Sequence, residues 1–125
     1  MIETTELRLN NDVLYCNETR KVTMIDAVTV QLEDCEGYIA TVDIDPIPIT
    51  PEILLACGFE EAPKNDPFGG YLYEVSNHQK MRLRIIDDAW CWRNFGYDMP
   101  YNELHELQNL IYALTGTELN YNPES

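Results

Sequence analysis

Basic side chains are scarce in this 125-residue chain: eight Lys and Arg stand against 22 Asp and Glu, a net charge of −14. The deficit is even, since residues 1–50 hold three basic and ten acidic groups and residues 51–125 hold five and twelve, −7 in each part. No acidic tail produces it. Phosphate backbones are met by clustered Lys or Arg, and the one short basic run, Lys80-Met81-Arg82-Leu83-Arg84, alternates like a solvated strand face. Nucleic acid is therefore disfavoured as a partner. No apolar run approaches the roughly 18 residues of a spanning helix. The opening MIETTELRLN lacks the basic and apolar regions of a secretory signal. A cytoplasmic location without membrane contact is the expectation.

Reactive side chains are equally sparse. Cys16, Cys35, Cys57 and Cys91 form no C-x-x-C pair. In a cytoplasmic setting they are expected to be reduced and mostly buried, as small hydrophobes. There are two histidines, His78 and His105. The run His105-Glu-Leu-Gln-Asn109 falls short of a zinc-protease helix because Asn109 stands where the second His belongs. No metal ligand set and no cofactor are expected. Ser76 near His78, or Cys57 or Cys91 with a histidine, would be nucleophile candidates, yet none sits in a nucleophile elbow. The carboxylate pairs Glu60-Glu61 and Asp87-Asp88 lie in turn-like sequence, where solvation is their ordinary state. FGGY (68–71) is a lone Gly pair and no phosphate loop. No residue is assigned a catalytic role.

What the sequence does have is 45% apolar residues in short, well-punctuated segments. Residues 12–16, 20–26, 28–33 and 38–44 are rich in Val, Ile, Thr and Tyr and are separated by turn formers. They predict a small, bent antiparallel β region over residues 1–49, resembling an SH3-like barrel. Thr50-Pro51-Glu52 then opens a short linker helix over 50–59, with Thr as N-cap, Pro at the first position and Gly58 as its left-handed stop. Glu60–Gly70, with two Pro and two Gly, reads as a mobile loop. Residues 71–76, 80–86 and 89–95 predict a three-stranded antiparallel meander. A helix over about 101–115 closes the pattern and is expected to pack on the meander, while the turn-rich tail after Gly116 is expected to fray. The fold class is thus α+β, in a single domain spanning 1–125.

Two groups of residues are candidates for a binding role. On the terminal helix, Leu104, Leu107, Leu110, Ile111 and Leu114 fall within an arc of about 120° and make the core stripe. Beside it His105, Gln108, Asn109 and Tyr112, at helical neighbour spacings, form an uncharged hydrogen-bonding face. That face either pins the helix to its own sheet or recognises a partner. On the third meander strand Trp90 and Trp92 share one side, with Cys91 on the other. Such rings either cover the sheet under the helix or form an aromatic platform.

LRLNN (7–11), IDPIPIT (44–50), ACGF (56–59) and LHELQNLIYALTGTEL (104–119) together resemble the signatures of a family of short proteins from Bacteroides-type gut bacteria, their phages and mobile elements. The resemblance covers nearly the whole chain and implies a cytoplasmic protein of bacterial or phage origin. It implies no activity. The leading expectation is a non-enzymatic protein-binding or adaptor module, with its protein partner and oligomeric state unknown. An acidic inhibitor imitating nucleic-acid charge to occupy a host DNA-binding protein is the alternative, and a small hydrolase of unknown substrate the third. A charge mimic would lose its basic partner steeply with salt, an adaptor would expose a contiguous apolar or aromatic patch, and an enzyme would place a histidine in a pocket.

Overall fold

The structure, a computed structural model, describes residue 2 and residues 4–76, 79–86, 89–94 and 97–122. Asn77, His78, Asp87, Asp88 and Phe95 lie outside the described residues, as does the side chain of Ser76. The protein is α+β, built from a four-stranded and a five-stranded antiparallel sheet. It separates into two compact units: residues 1–48 with 103–110, and residues 49–102 with 111–125.

The first unit is a meander of β1 (Asp12–Tyr15), β2 (Glu18–Ile25), β3 (Thr29–Leu32) and β4 (Ile39–Ala40) in that order. Cys16 and Asn17 form the two-residue turn between β1 and β2, both at positive φ, the conformation that matches the twist of a hairpin. Cys16 is therefore exposed in a turn instead of buried in a strand, while Cys57 and Cys91 are buried. A bulge between Val22 and Met24 bends β2, the device by which small sheets curl. Val13, Val22, Val30, Leu32 and Ile39 alternate into one core with Ile2 and Ile44. The expected strand over 38–44 stops after two residues, because Thr41–Asp43 wind into a 3-10 turn whose closing bond runs from the Ile44 N–H to the Thr41 carbonyl (3.3 Å).

The second unit opens with helix α1 (Pro51–Ala56), capped as its sequence predicts: the Thr50 hydroxyl accepts the Ile53 N–H at 3.2 Å. At its other end Gly58, at φ +98°, lets Phe59 N–H return to the Leu54 carbonyl (3.0 Å) and Gly58 N–H to that of Leu55 (3.1 Å). These two bonds satisfy carbonyls the helix would otherwise leave open. The sheet runs β5 (Glu60–Glu61), β6 (Tyr71–Ser76), β7 (Gln79–Ile86), β8 (Ala89–Asn94) and β9 (Tyr97–Pro100). It has five strands where three are expected: the start of the expected loop pairs with Tyr71 and Leu72, and β9 pairs with β8. The tail does not simply fray, since Leu119 is buried and Asn122 N–H reaches the Ala56 carbonyl at 3.2 Å.

Helix α2 (Leu104–Thr115) begins three residues later than its apolar pattern suggests. In the first unit Pro48 bridges to Glu103 and Leu104 donates to the Ile47 carbonyl (2.8 Å). In the second, Asn102 accepts from Ile49 (2.9 Å) and Tyr101 donates to Trp90 (2.8 Å). The Tyr101 N–H and the Asn102 carbonyl, committed to extended neighbours, cannot also start a helix, and the first helical bond runs instead from the Leu107 N–H to the Glu103 carbonyl (3.2 Å). Residues 104–110 of α2 belong with the N-terminal β region and residues 111–115 with the meander unit. Leu104, Leu107 and Ile111 are buried as the stripe requires, whereas Leu110 is half-buried and Leu114 is exposed.

Candidate functional site

In the first unit the polar face of α2 turns inward. Gln108, 1% exposed, closes a ring with Asp12: its amide Nε2 donates to Asp12 Oδ2 (2.7 Å) while its Oε1 accepts the Asp12 backbone N–H (2.8 Å). Asn11 Nδ2 donates to Asn109 Oδ1 (2.9 Å), and Asn109 Nδ2 donates to the Glu6 carbonyl (2.8 Å). Lys21 reaches both carboxylate oxygens of Asp12 at 3.2 Å. Burial pushes the Asp12 carboxyl above its usual range, and the Gln108 and Lys21 bonds oppose that shift. A buried carboxylate with this many donors is the normal way a charge survives in a core.

One turn away His105 is fully buried, and neither ring nitrogen has a hydrogen-bond partner among the described residues. Its Nε2 lies 3.5 Å from Glu6 Oε1. Glu103, just before α2, brings a second carboxylate, and one potential ligand atom from each of Glu6, Glu103 and His105 falls within 4.8 Å of the others. Glu106 completes the acidic rim, its Oε1 accepting the Glu103 N–H at 3.2 Å. Burial, followed by the charge of Glu103, raises the Glu106 carboxyl above its ordinary value.

In the second unit Trp90 is buried, its indole N–H donating to the Ile49 carbonyl (3.0 Å) and its ring meeting Tyr71 edge-on at 5.8 Å. Trp92 is half-buried, with its centroid 6.3 Å from that of Tyr101. Tyr112 is 42% exposed. Of the six residues singled out from sequence, His105, Gln108 and Asn109 lie in the first unit, and Trp90, Trp92 and Tyr112 in the second. A partner approaching from solvent meets Tyr112 but does not reach the side chains of His105 and Gln108.

The loop leading into β6 makes a second feature. Arg82 donates to Asp66 Oδ2 (2.9 Å) and to the Gly69 carbonyl, and its guanidinium lies 5.6 Å from the Phe68 ring centroid. Asp66 also accepts the Phe68 N–H at 2.9 Å. So held, Phe68 stands 63% exposed beside Ile85, 58% exposed, over a depression of about 340 Å³ whose walls include Tyr71, Arg84 and Trp90. The sequence marks Glu60–Gly70 as a loop and Trp90 and Trp92 as binding candidates, but sets neither Phe68 nor Ile85 apart. Ile85 follows the alternation of buried Met81 and Leu83, and exposure at a strand end carries no sequence mark.

The Phe68 N–H and Arg82 hold the Asp66 carboxyl below its usual 3.8. A depressed folded value makes the contribution of Asp66 complete above pH 3.8 and lost as pH falls through the folded value. Amide NMR should show Phe68 and Gly69 shifting together in that acid window, and Asp66→Asn should abolish the shared transition. No family model matches the chain, and neither a curated protein nor a solved structure matches it.

Proposed function

We propose that the protein is a non-enzymatic, cytoplasmic protein-binding module of the bacterial or phage family whose motifs it resembles. The occupant of its surface would be a protein segment that inserts an aromatic or aliphatic side chain beside Phe68 and Ile85 and sets a carboxylate against Arg84. The observation supporting this reading is the exposed pair over the depression beside Tyr71 and Trp90. Large apolar side chains held in water, Phe68 by the loop and Ile85 by β7, cost free energy that contact with a partner recovers, about 25 cal/mol for each Å² covered. Arg82 supplies the order, since it grips the loop at Asp66 and Gly69.

The test is affinity capture from the source cell with four baits: wild type, Phe68→Ala, Ile85→Ala and Val42→Ser. Val42 is exposed in the other unit and serves as the control. A protein retained by wild type and Val42→Ser but lost by the two others is the expected result. Identical retention by all four baits would sink the reading. Retention that vanishes with added salt but ignores Phe68 would favour charge mimicry instead.

A further inference from the structure

We propose that Glu6, Glu103 and His105 form a binding site for a divalent transition-metal ion of the zinc class. All three belong to the first unit. Three observations meet here, and the first is the state of the histidine. An imidazole that is fully inside the protein is normally fixed by at least one hydrogen bond, because an unsatisfied buried polar group costs about 1–3 kcal/mol. Among the described residues neither nitrogen of His105 has a hydrogen-bond partner. A ring left that way in a native fold points to a ligand, and an ion would supply one at Nε2, the nitrogen that faces Glu6.

The second observation is geometry. Zinc bonds of about 2.0–2.1 Å to nitrogen and oxygen imply neighbouring ligand atoms roughly 3.3–3.4 Å apart in a tetrahedron. His105 Nε2 and Glu6 Oε1 are 3.5 Å apart, and all three potential ligand atoms lie within 4.8 Å of one another. One edge is already at coordination distance. The third is ligand chemistry. Imidazole with two carboxylates is a borderline nitrogen–oxygen set that suits zinc or manganese and is poor for calcium, which takes six or more oxygens. Glu6 is part-exposed and gives an ion its way in, and three protein ligands leave a position for water.

The chain positions support the same reading. Glu6 comes from the 3-10 turn Thr4–Glu6, while Glu103, just before α2, and His105, in its first turn, come nearly a hundred residues later. An ion would hold the N-terminal segment against α2 within the first unit, beside the Asn109 bond to the Glu6 carbonyl. The site shares no residue with the Phe68 surface, so either proposal can fail alone.

Untagged full-length protein, stripped with chelator, should be titrated with Zn²⁺ by calorimetry and then with Co²⁺ by visible absorption. One equivalent is expected to bind, with d–d bands of nitrogen–oxygen ligation, a raised Tm and a shift of the His105 ring nitrogens in ¹⁵N NMR. Glu6→Gln, at a part-exposed position, should fold and bind roughly tenfold or more weakly, and His105→Gln should not bind. Cys16→Ser should bind as wild type does. Absence of saturable one-to-one binding, or equal affinity in Glu6→Gln, would overturn the site. Thiolate charge-transfer bands lost in Cys16→Ser would overturn it too, by assigning the metal to the exposed cysteine.

Discussion

Gln108→Glu is expected to remove about 3–5 kcal/mol of folding stability at neutral pH, the usual consequence of an uncompensated buried charge, and to regain much of it on acidification. The native amide does two opposite things at once. It donates to the Asp12 carboxylate through Nε2 and accepts the Asp12 N–H through Oε1. Glutamate keeps the acceptor, loses the donor, and sets a second carboxylate where the first is 2.7 Å from its partner. Two such groups share one proton. The folded value of the pair then stands above that of the unfolded chain, so the folded state holds more protons in between. Stability accordingly rises as pH falls through the folded value, and the gain is complete once pH reaches the unfolded range near 4. Gln108→Met removes the amide without adding charge, and should cost about 1–3 kcal/mol through the orphaned Asp12 groups. Urea denaturation from pH 4 to pH 8 separates the variants. Parallel pH profiles for Glu and Met would mean that Gln108 and Asp12 are not coupled.

The same residues show where sequence reading reaches and where it ends. Amphipathic spacing was enough to place Leu104, Leu107 and Ile111 inside and to set a polar face beside them. Local chemistry was enough for α1, because Thr50, Pro51 and Gly58 act on backbone groups within a few positions of themselves. The partners of the polar face were not legible. Asn11 and Asp12 reach Asn109 and Gln108 across nearly a hundred residues, and no periodicity encodes such a pairing. Glu6 is hidden for that reason, and Glu103 because the apolar pattern places it inside the helix instead of just before its first turn. The missed strand β5 is a different case: Glu60 and Glu61 have little strand propensity, and only β6 beside them makes the pairing favourable. The residues that fill the cores were recoverable from pattern, whereas the candidate metal site depends on long-range closure.

Gly70→Ala should be the most damaging single methyl addition in the second unit, at about 2–5 kcal/mol against about 1–2 for the neighbouring Gly69→Ala. Both glycines have positive φ, +65° at Gly69 and +85° at Gly70, so any side chain pays a conformational cost at either. Their surroundings differ. A Cβ at Gly69 meets nothing within 4 Å, while one at Gly70 falls 2.6 Å from the Leu83 carbonyl oxygen and 2.9 Å from Arg84 Cβ. The first of those is backbone of a central strand and cannot rotate away, so the loop must lift from β7. Lifting it strains the bond from Ala62 N–H to the Gly70 carbonyl (2.9 Å) and the Arg82 contact with the adjacent Gly69 carbonyl. Phe68 would then lose the setting that holds it over the depression, so Gly70→Ala should also release any partner that Phe68→Ala releases, whereas Gly69→Ala should keep it. Denaturation midpoints of the two variants, measured beside capture with each as bait, test both halves. Equal losses of stability would show that the loop accommodates a methyl group at Gly70 without moving, and that close packing against Leu83 is not what positions Phe68.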